Sequence, residues 1–101
     1  MTHHYFTYLL TNPTQDMFFA GVTCDLSFAV ASHKQGLADS FTRKHGVNQL
    51  VWYHSVGDLL DALRQKNRLM DMPNHAKSVL IELENPDWDD LMPDEGERLT
   101  A

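Results

Sequence analysis

Apolar and polar residues change rhythm several times along this chain, and each change marks an element. Aromatic and β-favouring residues dominate from Tyr5 to Leu10, which predicts a strand. Thr11 to Asp16 carries Asn12 and Pro13 in turn-forming positions. Met17 to Val22 predicts a second strand, so the chain opens with an antiparallel hairpin. Gly21 inside that run points to a bulge or a close backbone approach. A helix follows, capped by Asp25 or Ser27, with Leu26, Ala29, Val30 and His33 at helical spacing; it runs to Lys34 and Gly36 ends it.

Leu37 to Gly46 reads as a polar connection, and Asn48 to His54 as a third strand carrying Leu50, Val51, Trp52 and Tyr53. Ser55 followed by Asp58 resembles a capping box. The helix after it shows a stripe of Val56, Leu59, Leu60, Leu63, Asn67 and Met70, and Pro73 stops it. Asn74 restarts a shorter helix with Ala76, Val79, Leu80 and Leu83 on one face; Asn85-Pro86-Asp87-Trp88 closes it. The order is ββαβαα. The expected class is α+β: a small three-stranded sheet, built from the N-terminal hairpin and one later strand, flanked by helices. Residues 1–91 form one domain and residues 92–101 an acidic C-terminal tail.

Length and composition fit one small domain, since 101 residues with 43% hydrophobic content can bury a core with little to spare. No apolar run approaches the roughly 20 residues of a membrane helix. Met1 to Tyr8 lacks the basic start and cleavage site of a signal peptide, so a cytoplasmic location is expected. The single cysteine, Cys24, excludes an internal disulfide and reads as a packing residue, because no adjacent base can be named.

Charge narrows the partners. The net charge is -6, and the stretch from Glu82 to Glu97 holds acids without any Lys or Arg. Binding to nucleic acid through phosphates draws on a basic face. The acidic balance disfavours such a partner.

Motif order then adds a resemblance. Phe6 with Tyr8-Leu9-Leu10-Thr11-Asn12 is followed by Phe19-Ala20-Gly21-Val22-Thr23-Cys24-Asp25-Leu26, then by His33-Lys34-Gln35-Gly36 and Phe41-Thr42-Arg43-Lys44-His45. Leu50-Val51-Trp52-Tyr53 precedes Ala62-Leu63-Arg64-Gln65-Lys66, and Leu80-Ile81-Glu82 leads to Asn85-Pro86-Asp87-Trp88-Asp89-Asp90-Leu91. This series resembles the short bacterial proteins of the GIY-YIG nuclease superfamily. The resemblance implies a small sheet flanked by helices and metal-dependent phosphodiester hydrolysis of DNA, as in DNA repair. It also implies functional positions at Tyr8, Phe19, Ala29, His33 and Gln65, where the family carries two tyrosines, an arginine, a basic or histidine residue and a metal-binding glutamate.

Three of those positions are altered in ways that keep shape and remove chemistry. Gln65 offers a neutral oxygen, a poor ligand for a hard cation. Ala29 lacks the planar, charged fork that meets a phosphate, a loss often worth about 3 kcal/mol or more in the barrier. Phe19 keeps a ring and loses a hydroxyl. Tyr8 and His33 remain as the catalytic remnants. Asp61, four residues before Gln65 on one helical face, is the candidate for a relocated metal ligand acting with His33. The expectation is therefore a catalytically inactive member of the superfamily without a cofactor. It would act as a binding module through the old cleft or an apolar face containing Phe28, with a protein, a second copy or a small ligand as partner. The alternative is a Mg-dependent DNA endonuclease with a rearranged site.

Overall fold

The computed structural model of the protein describes residues 4–92. Strands β1 (Tyr5–Thr11) and β2 (Phe18–Thr23) form the expected antiparallel hairpin. Asn12 organises its turn. The Asn12 carbonyl oxygen Oδ1 accepts from the backbone N–H groups of Asp16 and Met17, both at 3.1 Å, while Nδ2 donates to Asp16 Oδ1 at 2.7 Å. Hydrogen bonds from Asn12 and Thr14 hold the Asp16 carboxyl below its usual range.

Strand β3 (Gln49–Val56) pairs antiparallel with the other edge of β1, giving the order β2-β1-β3. The central strand is buried from Thr7 to Thr11 and feeds both faces of the sheet. Alternation sends Tyr8 and Leu10 to one side and Thr7 and Leu9 to the other. On the first side Tyr8, Leu10, Leu26, Val30, Val47 and Leu50 form one core; on the second, Leu9, Val51, Trp52, Leu69 and Ile81 form another. An irregularity between Leu9 and Leu10 leaves Val51 as an extra residue on β3, so that adjacent Val51 and Trp52 both join the second core while Leu50 joins the first. These observations establish the α+β class and the three-stranded sheet.

Helices α1 (Leu26–Lys34) and α2 (Ser40–His45) cover the first face. Asp25 caps α1 by accepting from Phe28 N at 3.0 Å. The second of these helices corrects the polar connection expected over residues 37–46. Asp39 Oδ1 accepts from Phe41 N and Thr42 N at 2.8 and 3.2 Å, and Gly46, at φ 65°, closes the turn in the left-handed region. Six residues are too few to display a helical period, so the caps alone carried the signal. The order is therefore ββααβαα. Strand β3 also runs on through Ser55, so the cap of the next helix is Asp58, which accepts from Leu60 N at 3.0 Å.

Helices α3 (Leu59–Asp71) and α4 (Asn74–Glu84) cover the second face, but with other sides than their apolar stripes suggested. In α3 the buried residues are Ala62 and Leu69, whereas Leu59, Leu60, Leu63 and Met70 are exposed. The Thr7 hydroxyl donates to the Ala62 carbonyl at 3.1 Å, a backbone approach that only a small side chain permits. In α4 the buried residues are Lys77 and Ile81, with Val79 and Leu83 exposed. Lys77 qualifies because its stem packs while Nζ donates to the Met72 carbonyl at 2.8 Å and lies 5.7 Å from the Phe18 ring centre. Cys24 is exposed, so it is not the packing residue that its sequence context suggested.

After α4 the chain folds back along β3. Asn85 Nδ2 donates to the carbonyls of Val51 and Asp89, and Asp90 accepts from Leu50 N while pairing with Lys34 at 2.5 Å. Met92 packs against the first core. The rest of the acidic tail, residues 93–101, lies outside the described residues. Among the described residues no helix is long and apolar enough to cross a membrane.

Candidate functional site

The α1 face of the sheet opens into a groove of about 570 Å³ over Tyr8 and His33. Backbone geometry sets its floor. Gly21 stands opposite Tyr8 across the β1–β2 pair, and a Cβ there would lie 2.5 Å from Tyr8 Cζ and Oη. The glycine is thus what lets the Tyr8 ring lie flat across β2 towards α1. Phe19, two residues earlier, projects to the same side, its ring centre 4.8 Å from that of His33 and 6.3 Å from that of Tyr8. Ala29 and Phe28 stand on the α1 wall, the former partly buried and the latter 70% exposed.

A chain of hydrogen bonds runs beneath this floor. Thr42 Oγ1 donates to the Asp39 carbonyl at 3.1 Å, which leaves it to accept from His33 Nδ1–H at 2.9 Å. His33 Nε2 then accepts the Tyr8 hydroxyl proton at 3.2 Å. This tautomer, assigned from the network, gives every member a partner. Both rings are almost completely buried, at 4% and 5% exposure. Burial, with the negative charge of Asp39 in support, pushes the Tyr8 hydroxyl up to about 12. Burial also lowers the His33 pKa, against a smaller opposing pull from Asp39. At neutral pH the pair is an uncharged phenol donating to an uncharged imidazole. Neither group is placed as a free base.

The structure therefore gathers Tyr8, Phe19, Ala29 and His33 into one place. It does not bring Gln65 there. The Gln65 amide lies 3.0 Å from His54 Nδ1, and His54 pairs with Thr7, which faces α3. Gln65 thus sits on the opposite face of the sheet from Tyr8. Asp61 is exposed on the same helix, 3.5 Å from Arg64, and is likewise separated from His33 by the sheet. Among the described residues no three His, Cys, Asp or Glu side chains gather as a metal site requires.

Two members of the site were missed in the sequence: Asp39 and Thr42. Thr42 lies in α2 and Asp39 caps it, and the signal available for them was an acidic cap before Ser40 with Gly46 closing the turn. Among the described residues, Asp39 contributes the single acidic side chain of the groove lining, and no Lys or Arg lines it. The groove is apolar, aromatic-floored and carries one negative charge.

No protein-family model matches the chain. The chain is 26% identical over 87 residues to a UPF0213 protein of Lacticaseibacillus paracasei, a likeness covering 86% of this chain and 97% of that one. Its fold is similar to the solution NMR structure of the UPF0213 protein of Bacillus halodurans, with a TM-score of 0.54 and 20% identity over 86% of this chain and 92% of that chain. Both likenesses span nearly the whole of small bacterial proteins, so this chain resembles the UPF0213 proteins as an entire domain, in sequence to one and in fold to the other.

Proposed function

We propose that the protein is a non-hydrolytic relative of the GIY-YIG nucleases that uses the groove over Tyr8 and His33 as a binding surface. The observation that carries this reading is the closed hydrogen-bond chain. The Tyr8 hydroxyl, which remains of the two tyrosine hydroxyls that the resemblance implies, is buried and donates inward to His33. Around it the wall presents Ala29 and Phe28, and neither can neutralise a phosphate. Gln65 contacts His54 on the face of the sheet opposite Tyr8, so even a carboxylate at that position would not join the Tyr8 cluster. What remains is a shaped, largely apolar concavity of the size that ligand sites occupy.

The test is a magnesium-supplemented nuclease assay on branched, nicked and single-stranded DNA, run with and without chelator. The unaltered chain is expected to leave all three substrates intact, and the Gln65→Glu/Ala29→Arg double variant is expected to do the same. Chelator-sensitive hydrolysis by the unaltered chain would establish the alternative, an endonuclease with a rearranged site.

A further inference from the structure

We propose that the groove over Tyr8 takes an organic cation, an alkylated ammonium head carried on an apolar body. The inference rests on the reading of this groove as a binding surface and adds the class of ligand. Three rings, Tyr8, Phe19 and His33, lie with centres 4.8–6.3 Å apart and form the floor. Phe28, 70% exposed, adds a fourth ring on the wall. Aromatic faces carry negative potential and attract a cation set above them, most strongly where water is excluded.

One carboxylate completes the site. Asp39 spends Oδ1 on the cap of α2, accepting from Phe41 N and Thr42 N. Its charge reaches the floor, since it acts on both Tyr8 and His33. Among the described residues no basic side chain lines the groove to compete for it, and the chain as a whole carries a net charge of -6. An anion would meet this carboxylate without any compensating Lys or Arg. A neutral apolar ligand would leave the carboxylate desolvated beside it. A cation with weakly hydrated methyl or methylene groups satisfies the rings and the carboxylate together.

The experiment is an NMR titration of the isotope-labelled full chain at millimolar ligand, following the amides of Ala29, Ser32 and Ala38. Four probes are compared: choline, acetylated trimethyl-lysine amide, the uncharged isostere 3,3-dimethylbutanol, and dimethyl phosphate. Saturable shifts are expected with choline or the trimethyl-lysine probe, and the tighter of the two identifies a free or a polypeptide-borne source. Asp39→Asn, which keeps a capping oxygen, is expected to weaken the cation about fivefold. Phe28→Ala, at an exposed position, is expected to weaken it about threefold. Equal binding of the neutral isostere overturns the cation proposal and leaves the binding-surface reading intact. Preferential binding of dimethyl phosphate overturns the cation proposal and leaves the groove a binding surface for an anion. No saturable shift from any probe also overturns the proposal, whereas the binding-surface reading is judged separately by the DNA assay.

Discussion

Adding one methyl group at Gly21 should unfold a large part of this protein's stability margin. The Cβ of Gly21→Ala would meet Tyr8 Cζ and Oη at 2.5 Å and Cε1 at 2.9 Å, all well inside contact distance. A tyrosine tip normally swings away at little cost. Here the ring is 4% exposed, lies against Phe19, and donates its hydroxyl to His33. Overpacking of this kind costs about 1–3 kcal/mol, and losing the buried hydrogen bond adds about 1 kcal/mol, so the expected loss is roughly 3 kcal/mol. In a domain of this size that corresponds to a fall in Tm of about 12–24 °C.

Urea denaturation followed by tryptophan fluorescence measures it. Gly57→Ala is the control: no heavy atom lies within 4 Å of its added Cβ, so a gain of about 0.4–1 kcal/mol is expected there. The contact itself is isolated by repeating Gly21→Ala in a Tyr8→Leu background, which removes the opposing atoms. The cost should then fall below about 1 kcal/mol. An equal cost in both backgrounds would refute the argument, because the penalty would then have nothing to do with the tyrosine.

The same pair sets the pH range of the fold. Burial pushes the Tyr8 hydroxyl up to about 12 in the folded chain from near 10 in the unfolded one, so deprotonation favours the unfolded chain and stability should fall from about pH 10 to pH 12, by up to about 3 kcal/mol. His33 has its folded pKa below the unfolded value, so protons bind the unfolded chain first and stability should also decline as pH drops below about 6.5. Urea midpoints across pH, with tyrosinate absorbance on the alkaline side, test both arms; a normal tyrosine titration removes the premise. Asn85→Ala should destabilise by about 2–3 kcal/mol, because the buried amide donates to the Val51 and Asp89 carbonyls and accepts from Asp89 N. A loss below about 0.5 kcal/mol in the same denaturation assay would mean that this junction is not held by those bonds.

The sheet was legible because its strands carry strong local signals: aromatic runs, an Asn-Pro turn and a glycine whose neighbour needs the space. The helical faces were not. Leu59, Leu63 and Met70 make as good a periodic stripe as Ala62 and Leu69, and only the Thr7 hydroxyl reaching the Ala62 carbonyl decides between them. That choice is tertiary and leaves no trace in local periodicity. Helix α2 escaped notice because two caps enclosing six residues leave no room for a repeat. The site divides the same way. Tyr8, Phe19, Ala29 and His33 come from three neighbouring elements whose motifs kept their order, and they converge. Gln65 belongs to a helix whose rotation was unreadable, and it lands against His54. Asp39 and Thr42 give the groove its charge and fix its imidazole, yet they belong to the cap and the body of the short helix that the pattern concealed.

The return of the chain along β3 has a consequence for how the protein is made. Asp90 grips Lys34 across 56 positions of sequence, and Met92 accepts from the Ser27 hydroxyl across 65. The layer built first by a ribosome is therefore fastened last. Until the residues near 90 are free to move, α1 rests on the hairpin without its clasp, and the first core lacks the Met92 side chain that packs against it. Newly made copies must pass through that unlatched stage, when the hairpin with its Phe18-Phe19 pair is most prone to pairing with the wrong neighbour.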